Sequence, residues 1–441
     1  MKYSKYNMFY ELESNSDKVI AYNAMTNALA LMSKEKYQEF LNTNINDLDK
    51  DKEFFNKLVS GGYLINDDFD ELSHLSFNLL KDRYSTRGLG LTIAPTIDCN
   101  FDCIYCYQKE GQDSLYMKKD VQDKIIEFVK EKVNHIESLS VTWYGGEPLL
   151  SMDAIEYISK NLIDICTEHN ISYFATMVTN GYNLTKDTAK KLKDLKVDNL
   201  QVTIDGVEEI HDQRRPLVGG QGTFKRILNN LKACSDICEN MSLRVNVDKD
   251  NMYKTKELLE YLREYGITKS SGVYIAKVDN ANECYDKKLC LETINFCDLK
   301  SDVNNSLVEI DGYPETINYP NLITNSCLAD SLNGFLIDPK GNIYKCWNDI
   351  GFEERVVGSL MENTTVKFNR ALFDEYMLYD ATKDLECSNC NILPICMGGC
   401  PRRRVEKENR CSDFKYNIEK KLQWMAKKLE YKSEEKHKCK C

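Results

Sequence analysis

At 441 residues the chain has room for about three domains, and its net charge of −11 argues against nucleic acid as the main partner, because phosphate-backbone binding needs clustered Lys and Arg. No apolar signal core lies between Met1 and Lys18, and no run of about 18 uncharged apolar residues follows, so no membrane association and a cytoplasmic setting are expected. Thiols stay reduced there, so the 18 cysteines are not a disulfide framework, and five histidines without metal-ligand spacing leave the chemistry to cysteine.

Residues 1–87 open with alternating stretches at Met8 to Leu12, Val19 to Tyr22 and Ala28 to Met32, which predict short strands. Helical patterns follow at Ser33 to Leu41 and Asp51 to Val59, and Gly61-Gly62 stops the second. Strands followed by helices in so short a segment predict a winged-helix-like module. It has no basic recognition helix. Two uses remain open: binding an extended peptide by strand addition, or capping the domain behind it.

Residues 88–297 alternate strand and helix signals. Apolar β-prone runs at Leu89 to Pro95, Leu139 to Trp143, Ser172 to Val178, Leu200 to Ile204, Ser242 to Val247 and Val273 to Ile275 are separated by amphipathic stretches. Those lie near Lys118 to Val133, Ala154 to Cys166, Thr185 to Leu195, Phe224 to Cys234 and Lys254 to Tyr265. This predicts a parallel sheet covered by helices, an α/β partial barrel with its site at the carboxyl ends of the strands. The loop after the first strand carries Cys99, Cys103 and Cys106 as Cys-x-x-x-Cys-x-x-Cys, with Tyr105 inside the motif. Three soft ligands suit one small metal centre, and they leave a four-iron cluster with one iron open to substrate. A zinc site is the alternative.

This spacing resembles the radical S-adenosylmethionine (SAM) enzymes. The resemblance implies a (β/α)6 barrel of TIM type, a [4Fe-4S] cluster on the three thiolates, and SAM bound to its open iron. Tyr144-Gly145-Gly146-Glu147-Pro148 after the second strand is similar to the family's GGEP motif, which implies that Gly145, Gly146 and Glu147 meet the SAM amino group. Thr179 and Asn180 fall where the family contacts the ribose, and Asp205 after the fourth strand has a short polar group of the same kind. Arg215 is the candidate partner for the SAM carboxylate, since a guanidinium pairs with it bidentately. Thr223, after the run Gly219-Gly220-Gln221-Gly222, is expected to cap the next helix.

Residues 298–425 hold Cys327, Gly341 and Cys346, then Cys387-x-x-Cys390, Cys396-x-x-x-Cys400 and Cys411. The pattern is similar to the SPASM extension, which implies two auxiliary clusters and therefore three [4Fe-4S] clusters in all. By position, Cys387, Cys390, Cys396 and Cys411 correspond to the outer cluster and Cys327, Cys346 and Cys400 to the inner one. Gly398 and Gly399 are expected to let amides point at sulfur. Two four-cysteine zinc sites are the alternative. Sulfatase-maturing relatives carry a further cysteine where this chain has Asn321, and Asp where it has Trp347, which places formylglycine formation in doubt. The inner cluster then has either an iron open to a substrate thiolate or a fourth ligand from Cys284, Cys290 or Cys297. Residues 426–441 form a charged tail, expected to be disordered and ending in Cys439 and Cys441.

Taken together, the resemblance implies a radical SAM/SPASM maturase of a ribosomally made peptide, most simply one forming thioethers, as in sactipeptide and ranthipeptide systems. A precursor peptide whose leader docks on the first 87 residues and an external one-electron reductant are the expected partners. Carbon-carbon cross-linking, sulfatase maturation and a non-catalytic iron-sulfur electron carrier are the alternatives, and no catalytic acid or base is evident.

Overall fold

The computed structural model describes residues 1–108, 114–238, 240–267, 271–311, 320–325, 327–362 and 366–438. The chain divides into two compact units, Met1–Arg83 with Tyr313–Cys327 and Leu378–Cys441, and Tyr84–Gly312 with Leu328–Met377.

In the first unit, β1 (Lys2–Tyr3) pairs antiparallel with β5 (Leu64–Ile65), and β2 (Asn7–Leu12), β3 (Asn15–Asn23) and β4 (Ala28–Ser33) form an antiparallel sheet in that order. Helix α1 (Lys34–Asn42) starts where the Ser33 side chain accepts from the Lys36 amide, and α2 (Lys52–Ser60) starts at Asp51, which accepts from Phe54. Side chains alternate across a strand. Ala21 therefore joins Phe40, Phe54 and Leu58 of the two helices on one face of the sheet. Met8, Ile20 and Tyr22 pack on the other face with Leu75 and Leu79 of α3 (Glu71–Arg83) and with Ile392, Leu393 and Cys396. The cysteine-bearing carboxyl-terminal segment is thus built onto the amino-terminal sheet.

The charged tail departs from expectation. A helix spans Phe414–Lys438, because Ile418, Leu422, Met425 and Ala426 recur at helical spacing and are buried in that same core, which nucleates the turns beyond them. Cys439 and Cys441 lie outside the described residues.

The second unit is a nine-stranded sheet. Strands β6 (Gly88–Ile93), β7 (Ser138–Trp143), β8 (Ser172–Thr179), β9 (Val197–Thr203), β10 (Asn240–Val247) and β11 (Ser271–Lys277) are parallel neighbours in chain order. They are joined through α4 (Lys119–Lys130), α5 (Met152–Glu168), α6 (Lys186–Asp194), α7 (Glu208–Arg214), α8 (Phe224–Cys234) and α9 (Thr255–Glu264). This is the α/β fold with a parallel sheet expected of a partial barrel. Val121, Ile125 and Val129 of α4 and Ile155, Ile158 and Leu162 of α5 repeat at helical spacing and bury against Leu89, Leu91, Leu139 and Val141. Cys166 and Cys234 are buried in this core, as expected of small apolar residues.

Three more strands extend the sheet beyond β6. Strand β12 (Gly334–Ile337) adds parallel to β6, and β13 (Asn342–Tyr344) and β14 (Gly358–Ser359) continue it antiparallel. A further helix, α10 (Thr293–Asp311), precedes them. Among the described residues no helix is long and apolar enough to cross a membrane.

Candidate active site

The carboxyl ends of the parallel strands surround a cavity of about 270 Å³. It is lined by Cys99, Cys103, Tyr105 and Cys106 after β6, Gly145 and Gly146 after β7, Thr179 and Asn180 after β8, and Arg215 after α7. Far apart in sequence, these positions meet because parallel strands bring all their carboxyl ends to one rim.

The cysteine loop is held from two sides. Residues 214–218 clamp it through the Asp102 amide on the Pro216 carbonyl (2.8 Å), the Ile104 amide on Arg214 (3.1 Å) and the Val218 amide on Asn100 (3.0 Å). The glycine pair closes the other side. Gly145 has φ +125°, and a Cβ there would lie 2.2 Å from the Thr96 carbonyl oxygen; one on Gly146 would lie 2.1 Å from that of Asp98. Glycine is needed here because the turn approaches the chain's own cysteine loop.

Glu147 departs from expectation: it is fully buried and does not line the cavity. Its carboxylate accepts from the Thr179 hydroxyl (2.7 Å), the Asn180 amide (2.7 Å) and the Leu149 amide (3.1 Å). These bonds join the loops after β7 and β8, and the glycines, not the carboxylate, line the cavity. Burial raises its pKa against the opposing pull of those donors.

Asp205 also departs from expectation. It is buried, absent from the cavity wall, and accepts from the Tyr105 hydroxyl, the Asn246 amide (3.3 Å) and Arg214 Nε (3.4 Å). Arg214 is bridged on to Asp248 at 2.8 Å, so Asp205 belongs to a buried ion network under the site. Thr223 heads α8 without capping it, since its hydroxyl donates to the Arg215 carbonyl (2.8 Å). Asp212 Oδ1 instead accepts from the Thr223 and Phe224 amides at 2.7 and 2.8 Å.

Arg215 lies on the cavity wall. Its Nη1 donates to the Tyr105 hydroxyl at 2.7 Å, while its buried Nε has no hydrogen-bond partner. Gln108 Nε2, also on the cavity wall, is a second buried donor without one. Two such donors beside three thiols fit a cluster carrying a carboxylate ligand. Burial first, then the nearby Glu147 carboxylate, pushes the Cys99 thiol up to about 12, so loading metal there releases its proton.

Sequence reasoning missed several wall residues. Arg244 and Asn246 on β10 and Lys277, at the end of β11, with Asp279 just beyond it, stand at strand ends and were findable by position. Trp347, noted only as a departure, stacks on Tyr144 with ring centroids 4.4 Å apart and donates to Thr92 at 3.2 Å.

In the first unit Cys387, Cys390, Cys396 and Cys411 line one smaller cavity with Arg410 and Lys415. Gly398 and Gly399 have φ +87° and +67°, and a Cβ on Gly399 would lie 1.8 Å from the Arg410 carbonyl oxygen. The Gly399 and Cys400 amides bond the carbonyls of Cys396 (3.1 Å) and Arg410 (2.9 Å). Cys327 and Cys400 are exposed members of the first unit; Cys346 belongs to the second. Cys284 donates to the Tyr105 carbonyl at 3.6 Å, Cys290 to that of Asp286 at 3.8 Å, and Cys297 is buried.

Residues 93–262 match the model of the Radical SAM superfamily. A cysteine-type anaerobic sulfatase-maturating enzyme of Clostridium novyi is 24% identical over 380 residues, 78% of this chain and 99% of its own length. Native anSMEcpe with bound AdoMet and Cp18Cys peptide superposes with TM-score 0.57 at 19% identity, over 78% of this chain and 99% of that one. Streptococcus suis SuiB bound to precursor peptide SuiA does so with TM-score 0.51 at 17% identity, over 93% and 98%. The matched domain implies SAM and one [4Fe-4S] cluster, which the three thiols of the loop after β6 are suited to hold.

Proposed function

We propose that this radical SAM enzyme, supplied with electrons by an external reductant, modifies a ribosomally made peptide by joining a cysteine sulfur to a substrate carbon. The observation that carries the reading is the cavity at the strand ends, where three thiols, an under-partnered Arg215 and one carboxylate share a wall. Support for a peptide comes from the similarity to structures solved with peptides bound.

When bound, SAM and the clusters supply the 5′-deoxyadenosyl radical that removes one hydrogen atom and the sink for one electron. Cys99, Cys103 and Cys106 hold the first cluster. Arg215 takes the SAM carboxylate, the turn at Gly145 and Gly146 receives the amino group, and Gln201 and Thr203, on the same wall, face the ribose in place of Asp205. Asp279 is the one carboxylate among the described wall residues and accepts the substrate thiol proton. Hydrogen atom, proton and electron together amount to two hydrogens lost per link. On the sequence pattern, Cys387, Cys390, Cys396 and Cys411 hold the outer auxiliary cluster, and Cys327, Cys346 and Cys400 the inner one. The leader adds to β4, which among the described residues pairs on one side only.

Sulfatase maturation is the second reading, favoured by the similarity to the C. novyi enzyme. Asn321 and Trp347 weigh against it. Anaerobic incubation with SAM, reductant and a precursor peptide decides. The proposal expects 5′-deoxyadenosine and a product lighter by two hydrogens per link that resists alkylation at the linked cysteine. An aldehyde at a cysteine of a sulfatase-derived peptide supports the rival, and absence of SAM turnover supports an electron carrier.

A further inference from the structure

We infer that Lys415, aided by Tyr379 and Arg410, raises the reduction potential of the cluster held by Cys387, Cys390, Cys396 and Cys411; this rests on the reading above that the second cavity holds one. The four thiols share a cavity wall with both cations. Lys415 Nζ lies 3.7 Å from Cys390 Sγ, Arg410 Nη2 lies 3.7 Å from Cys387 Sγ, and the Tyr379 hydroxyl lies 3.6 Å from that same sulfur. Toward a thiolate, all three act as donors.

One-electron reduction adds a negative charge to the cluster and no proton, so each cation or donor at sulfur stabilises the reduced form more than the oxidised one. The three differ in strength for a visible reason. Arg410 shares its charge with Asp384 Oδ2 at 2.7 Å and faces Glu386 at 3.9 Å. Tyr379 is neutral and is held by cation-π contact with Arg404, 4.2 Å from its ring centre. Lys415 forms no ion pair among the described residues, and the Cys390 thiolate is its strongest electrostatic neighbour. Its charge is therefore drawn first to the cluster sulfur, with Glu386 a weaker neighbour, and the arrangement suits an electron acceptor.

The test is a redox titration of the full chain, loaded with iron and sulfide under anaerobic conditions and followed by electron paramagnetic resonance. Cys390→Ala identifies the signal: it should vanish as iron falls by about four per chain. Lys415→Gln should keep its iron and move the midpoint of that signal to a more negative value, Lys415→Arg should restore it, and Tyr379→Phe should move it less in the same direction. A full iron complement with an unmoved midpoint in Lys415→Gln overturns the inference. So does loss of iron in both Lys415→Gln and Tyr379→Phe, which would make the role structural. A Cys390→Ala protein that loses no iron refutes the cluster itself, a separate result.

Discussion

The Asn180 amide donates to the Glu147 carboxylate at 2.7 Å, and this bond ties the loop after β7 to the loop after β8 beneath the cavity. With the Thr179 hydroxyl and the Leu149 amide, it gives Glu147 three donors in a site without solvent. Glu147→Ala leaves all three unpaired, at about 1–3 kcal/mol each before relaxation. We expect a lowered denaturant midpoint in the metal-free protein, with Glu147→Gln intermediate. An Ala variant as stable as the parent, but unable to bind SAM, would instead make Glu147 a ligand contact.

Arg214 stands between two fully buried carboxylates, Asp205 at 3.4 Å and Asp248 at 2.8 Å. Removing one member of a buried pair costs about 3–5 kcal/mol, because the other is left uncompensated. Arg214→Met should lose that much in chemical denaturation. Asp205→Asn should lose stability while SAM affinity, measured by equilibrium dialysis of the iron-loaded protein, stays within about threefold.

Arg215 behaves oppositely. A charged hydrogen bond is worth about 1.5–3 kcal/mol, so Arg215→Gln should weaken SAM binding about ten- to a hundred-fold. Titration of SAM into the reconstituted protein reads this directly, and iron content should not change.

Asp279 reports on the chemistry. Loss of a general base costs about a hundred- to ten-thousand-fold in rate, so Asp279→Asn should still release 5′-deoxyadenosine while cross-linked product falls by such a factor. Product and nucleoside falling together would show that Asp279 serves SAM binding instead.

Gly146 tests the close approach. Its added Cβ would meet the Asp98 carbonyl oxygen at 2.1 Å, and backbone cannot give way as a flexible side chain can. Gly146→Ala should displace the cysteine loop, with a measurable loss of bound iron and visible absorbance.

The parallel strands and their helices were legible because each carries its own local signal: Val121, Ile125 and Val129 repeat at helical spacing, and Leu89 to Pro95 is unbroken and β-prone. The added strand β12 was not, because a short run such as Gly334–Ile337 carries too little pattern and becomes a strand only by pairing with β6. The burial and partners of Glu147 and Asp205 were not legible for a related reason. A polar residue after a strand has the same signature whether it faces ligand or neighbour. Which it does depends on where Asn180 and Arg214 arrive.

Sequence alone determined the chemistry of this protein: the thiol spacing between Cys99 and Cys106 and the alternation of strands and helices are local in the chain, so the residues themselves encode them. Tertiary structure alone decided which polar groups border the cavity and which are consumed in holding it. A carboxylate's hydrogen-bonding capacity is finite, and donors some thirty residues away, as Thr179 and Asn180 are from Glu147, take up part of it only once the fold has formed.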